Sequence, residues 1–152
     1  MNNCDKKIVL VVKASEVGER GLKKAIDITR EEDCNKLYLL FVVDHDFFSG
    51  DGASYVKSKQ QVDKGLEGIG DAILRTMEDM LEETDKSIES QRVILHGKTA
   101  EEIMNFAKNN KVDVLIIPKD QRGPIEKFIT GGDITPFIDE IKKYVDKVVV
   151  VE

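Results

Sequence analysis

"VILHGKTAEEIMNFAKNNKVDVLIIPKDQRG", residues 93–123, carries the decision about the fold. It takes in most of one short apolar run, Arg92–His96, and then a second, Val114–Ile117. Both runs are continuous rather than alternating, and both contain β-branched residues. Strands buried on both faces of a parallel sheet have this composition, because neither face is given to water. Between the runs, "TAEEIMNFAKNN" places Ala100, Ile103, Met104 and Ala107 on one helical stripe. Thr99 stands at the N-cap position with Glu102 three residues on, which predicts a capping box. Strand, helix and strand in this order predict a parallel βαβ unit with a right-handed crossover.

The same alternation extends to both ends. Further apolar runs lie at Ile8–Val12, Leu37–Val43 and Val148–Val151. A helix within residues 16–33 aligns Leu22, Ala25 and Ile26, and Thr29 continues the stripe more weakly. A longer one from about Ile69 to Ile88 aligns Ile69, Ile73, Met77, Met80 and Leu81. A last one has Thr135 as cap and Pro136 in its first turn, where the missing N–H costs nothing. The order β-α-β-loop-α-β-α-β-α-β predicts an α/β fold, one domain over residues 1–152, with a five-stranded parallel sheet covered by helices on both faces. The irregular segment is Asp44–Gly65, a length unusual unless it is functional or mobile. "GLEGIG" (Gly65–Gly70) reads as a flexible approach to the long helix, since no strand directly precedes it and the dinucleotide fingerprint fails.

Composition narrows the function classes. The chain has 152 residues, 41% hydrophobic and 34% charged, which is an ordinary globular balance. Its formal net charge of -6 argues against general affinity for nucleic acid or for an anionic membrane. Cys4 and Cys34 form no CxxC motif and no metal cluster. So few thiols make a disulfide framework an unexpected feature and the cytoplasm the default compartment. The first apolar run is too short for a signal-peptide core, and no stretch approaches the ~20 apolar residues of a membrane span.

In folds of this class, ligands bind beyond the carboxyl ends of the strands, where strand order reverses. The residues to inspect are therefore Lys13-Ala14-Ser15, Asp44-His45-Asp46, His96-Gly97-Lys98 and Pro118-Lys119-Asp120. "HGKT" (His96–Thr99) is no Walker motif, because Arg92 stands where its first glycine belongs. Asp44, Asp46 and His96 offer oxygen and imidazole ligands without metal-ligand spacing, and read as solvated loop residues. No nucleophile–base pair emerges, so no catalytic residue is assigned. Phe47 and Phe48 in "FFSGDG" either cover the cleft, dock on a partner or pack locally. The apolar "KVVVVE" end is an edge strand of the kind that invites edge-to-edge pairing.

The whole chain resembles the universal stress protein family. The likeness is strongest from Arg92 onward: a third strand, a glycine turn into a helix opening Ala-Glu-Glu-Ile, and a fourth strand ending in a glycine-containing loop. "KKYVDKVVVVE" resembles the family's closing helix and strand, and "KKIVLVVKASE" stands where the family has a strand followed by Asp-x-Ser. The resemblance implies a Rossmann-like sheet of order 3-2-1-4-5 with strands 1 and 4 adjacent at the switch point. It implies ATP or AMP as ligand there and a homodimer through the last strand.

The family's nucleotide-binding subset carries Gly, two residues, Gly, nine residues, Gly, then Ser or Thr, with an Asp ending strand 1. Here Asp120 stands at the first glycine, Gly123 matches the second and Gly132 is the best match to the third, with Pro124 to Gly131 between. Asp133 replaces the hydroxyl residue and Lys13 the strand-1 Asp, while Val42 keeps the position whose backbone meets the base. Asp120 fills space that a glycine leaves open and adds negative charge. An ionised Asp133 cannot donate to a phosphate. Gly131, Gly132 and the amides that follow still permit an anion-binding turn. Lys13, Lys119 and Arg122 add local positive charge. Lys13 and Asp120 are expected to pair across the pocket mouth; the alternative is that both point into solvent. The expected function is a cytoplasmic stress-response binding protein that holds a nucleotide or another phosphate-bearing anion. The rivals are a dimeric interaction module without a ligand, and a weak nucleotide hydrolase.

Overall fold

The computed structural model describes residues 4–12, 19–43, 59–118 and 135–151. They form β1 (Ile8–Val12), α1 (Glu19–Glu31), β2 (Lys36–Val43), α2 (Lys59–Thr84), β3 (Glu89–His96), α3 (Thr99–Asn110), β4 (Val114–Pro118), α4 (Thr135–Ile141) and β5 (Lys147–Val151). The strands make one five-stranded sheet of order β3-β2-β1-β4-β5, and every neighbouring pair is parallel. The chain steps outward from β1 to β3, then crosses back through α3 to β4 on the other side of β1. The switch point of the sheet is therefore the β1/β4 boundary, as the sequence led us to expect.

The continuous apolar runs are explained by two cores, one on each face. Ile8, Leu10, Phe41 and Ile116 meet Leu22, Ile26, Leu74 and Met77 of α1 and α2. Val9, Val11, Leu40 and Leu115 meet Ile103 and Ala107 of α3 and Ile141 of α4. All five residues of β1 are buried, so alternation has no solvent face to report. Thr29, the weak member of the α1 stripe, is fully buried and satisfies its hydroxyl by donating to Ala25 O at 2.6 Å.

Four local expectations are corrected. First, α2 begins at Lys59, so the helix takes in the tail of the expected irregular segment and the whole of Gly65–Gly70. Each glycine disfavours a helix by ~1 kcal/mol, which hid the continuity; tertiary packing overrides it. A Cβ at Gly70 would lie 2.6 Å from Phe41 Cδ2 and 2.9 Å from Phe41 Cζ. Gly70 is thus the point where the helix backbone touches the sheet. The inward stripe is Gly70, Ile73, Leu74, Met77 and Leu81, and Ile69 falls outside it, 38% exposed. Second, β3 starts at Glu89, ahead of its apolar part, because Glu89 and Ser90 pair with Lys36 and Leu37. Third, Lys98, not Thr99, is the N-cap of α3, and it makes no side-chain capping bond. Thr99 is buried inside the first turn, and α4 likewise already includes Thr135.

The fourth correction concerns the cysteines. Cys4 and Cys34 are joined by a disulfide, with their Cα atoms 5.0 Å apart, inside the usual range for such bridges. Spacing in the sequence carried no signal, because the fold alone brings the segment before β1 beside the turn after α1. Closing a loop over a separation of 30 residues removes unfolded-state entropy worth about 3–4 kcal/mol in the chain-entropy description.

Candidate functional site

The site is built where β1 and β4 end. Leu10 lies level with Ile116, and this register carries Val12 level with Pro118. Helix α1 leaves from the same rim. A Cβ at Gly21 would lie 3.3 Å from both Leu10 Cδ1 and Pro118 Cγ, so the first turn of α1 packs directly against the end of β4. Any larger residue at 21 would push that wall outward. Sequence reasoning passed over Gly21, whose signal was a glycine inside a helical stripe. Glu19 and Arg20 place one charge of each sign in the same turn.

Val42 forms the neighbouring rim. Among the described residues, pairing between β1 and β2 ends at Val12 with Phe41, so Val42 is the first β2 residue beyond it. Its side chain is 9% exposed and packs into the core on the α3 face, which leaves its backbone at the strand end. Pairing with Leu95 of β3 fixes its height.

The β2/β3 side of the rim has a different chemistry. Gly97 adopts φ 146°, a conformation that glycine alone takes readily, and its N–H donates to Val43 O at 3.1 Å. A Cβ there would meet the Glu102 carboxylate at 2.8 Å. His96 Nε2 lies 2.6 Å from Glu67 Oε1, with both side chains about half exposed. Glu67 and Glu102 place two carboxylates here, which disfavours a second anion. Deeper on the same edge, Arg92 binds Glu78 through two bonds of 2.9 and 2.7 Å and also holds Asp71. Those hydrogen bonds, from Glu78 first and then Asp71, raise the guanidinium's pKa. This cluster ties α2 to β3 and is already neutralised.

Of the site residues expected from sequence, Val42 stands at the crevice rim. Lys13, Lys119, Asp120, Arg122, Gly123, Gly131, Gly132 and Asp133 lie outside the described residues, and so does the Lys13–Asp120 pairing. Their anchors are in place: Lys13 follows Val12 and Lys119 follows Pro118, on adjacent strands. Asp44, Asp46, Phe47 and Phe48 also lie outside the described residues. Among the described residues, no group of three His, Cys, Asp or Glu could hold a metal ion, and no helix is long and apolar enough to cross a membrane. A shallow groove of about 320 Å³ runs along α3, lined by Ala100, Glu101, Met104, Asn105 and Lys108. None of these residues comes from a strand end, so the groove is separate from the crevice.

Comparison with known proteins agrees with this geometry. Residues 6–134 match the model of the universal stress protein family. A universal stress protein of Methanocaldococcus jannaschii, MJ0531, is 30% identical over 130 residues, covering 86% of this chain and 74% of that protein. Among solved structures, the universal stress protein UspA from Lactobacillus plantarum superposes with a TM-score of 0.71 at 15% identity, over 99% of this chain and 100% of that one. A universal stress protein in complex with cAMP superposes with a TM-score of 0.59 at 15% identity, over 97% of this chain and 96% of that one.

Proposed function

Because the chain belongs to the universal stress protein family, we propose that it is a cytoplasmic stress-response binding protein whose β1/β4 crevice holds a nucleotide or a related phosphate-bearing anion. The observation that carries this reading is the switch point itself. The adjacent ends of β1 and β4 face one rim, Gly21 narrows it and the Val42 backbone borders it. A fold neighbour described in complex with cAMP lends support by analogy. Gly123, Gly131 and Gly132 supply loop backbone for a phosphate, and Lys13, Lys119 and Arg122 supply charge. Asp120 and Asp133 weigh against a triphosphate, so the reading favours a nucleotide with fewer charges, AMP before ATP.

The protein acts by binding rather than by turnover, as a homodimer. Support for the dimer is that β5 ends the sheet and presents the half-buried run Val148–Val151 at its edge. Thermal denaturation with AMP, ATP and inorganic phosphate, with and without Mg²⁺, tests the ligand. A rise in Tm with AMP and no release of phosphate from ATP is expected. No shift with any of the three would instead favour the interaction module without a ligand. Sedimentation equilibrium tests the dimer, and a monomer mass at tens of micromolar would reject it.

A further inference from the structure

We propose that Cys4 and Cys34 form a thiol–disulfide exchange site that reversibly clasps the segment before β1 to the turn after α1. Cys34 lies in that turn, held by its N–H to Thr29 O at 2.9 Å and preceded by Asp33 at φ 56°. It is 7% exposed and packs in the core under α1, while Cys4 lies partly buried against the same cluster. Both sit just before the amino ends of β1 and β2, at the end of the sheet opposite the crevice. The clasp is therefore independent of the ligand proposed there.

Contacts outside the bond keep the two sulfurs close when it is open. Lys6 pairs with Glu32 across the same junction. The Lys7 N–H donates to Asp113 Oδ2 at 2.7 Å, which fixes where the segment before β1 enters the sheet. Re-closure is thus a short intramolecular step rather than a search. Two cysteines are the whole complement of the chain, so one bond consumes both thiols and no third is present to reshuffle it. In a cytoplasmic protein, a bond of this kind belongs to the transient, redox-responsive class.

The unequal burial orders the chemistry. The Cys4 thiolate, the more accessible, attacks a low-molecular-weight disulfide such as oxidised glutathione. It forms a mixed disulfide and releases one thiol. Cys34 then gives its proton to solvent and attacks Cys4 Sγ, which releases the second thiol. One small disulfide is reduced to two thiols, and the protein dithiol is oxidised to one disulfide. Excess small thiol reverses both steps. The ring closed in this way encloses β1, α1 and the connection between them, so oxidation restricts the unfolded chain and raises thermal stability.

The full chain is equilibrated in glutathione buffers of graded ratio, quenched with an alkylating agent, mapped by mass spectrometry and melted by circular dichroism. We expect a Cys4–Cys34 bridge within one chain that opens and re-forms as the ratio changes. Its oxidised form should melt roughly 5–15 °C above the reduced form. Cys4→Ser and Cys34→Ser should each melt at a temperature independent of the ratio; the Cys4 variant serves if loss of the buried sulfur in the other impairs folding. Free thiols in fully oxidising buffer, a bridge only between chains, a bridge that excess dithiothreitol leaves intact in the native protein, or equal melting temperatures would each overturn the proposal.

Discussion

A methyl group added at position 70 would overlap the Phe41 ring, which is 1% exposed and part of the core on that face. Gly70→Ala should gain up to ~1 kcal/mol of helix propensity but lose roughly 1–3 kcal/mol to overpacking. A net fall in urea-unfolding free energy is expected, and Phe41→Leu should relieve part of it in the double variant. An additive double variant would mean that the helix does not touch the sheet there. Asp85 makes a second residue-scale prediction. Its carboxylate accepts from the Ser87 hydroxyl, from Arg30 and from the Ser87 N–H, which lowers its pKa from 3.8 to about 2. A carboxylate depressed in the folded state contributes its stability fully above the unfolded pKa and loses it as pH falls through the folded one. Asp85→Asn should therefore unfold more easily than the parent near pH 6, with the two converging towards pH 2. A gap independent of pH would assign the loss to something other than the charge.

At the scale of elements, α2 shows what was legible and what was not. Its second half could be read from Ile73, Met77 and Leu81, which are all buried. Its first half could not, because Gly65, Gly68 and Gly70 look like a hinge in sequence while Gly70 is a contact in space. The same contact turns Ile69 outward and Leu74 inward. Leu74→Ala should cost about 2–5 kcal/mol, whereas Ile69→Lys should stay within about 0.5 kcal/mol of the parent. Chemical denaturation of the two variants checks this, and comparable losses would restore Ile69 to the core stripe. β1, β2 and β4 were readable because a run buried on both faces needs no partner to be recognised; β3 and β5 were expected to be buried in the same way but are edge strands, alternately exposed or half-buried. The capping box was not readable, because Thr99 fits the motif equally well one position further into the helix.

For the whole molecule, the alternation of elements predicted a parallel sheet and the family resemblance implied its order; the observed order agrees with the resemblance. The disulfide was invisible because it depends on the segment before β1 meeting the turn after α1, a meeting that only the finished topology creates. The adjacency of the β1 and β4 ends was legible through the resemblance, but the ligand proposed there rests on loop residues whose sequence pattern departs from the family. Asp133→Ser restores the hydroxyl of that pattern and removes a like charge. It should tighten ATP binding roughly three- to tenfold, read by calorimetry, and unchanged or weaker binding would mean that Asp133 does not face the phosphates. The central claim is tested most directly by isothermal titration of the intact chain with AMP. Saturable binding of one nucleotide per chain, with a Kd below ~1 mM, is the expected result. Absence of saturable heat with AMP, with ATP and with inorganic phosphate at concentrations well above that would contradict it.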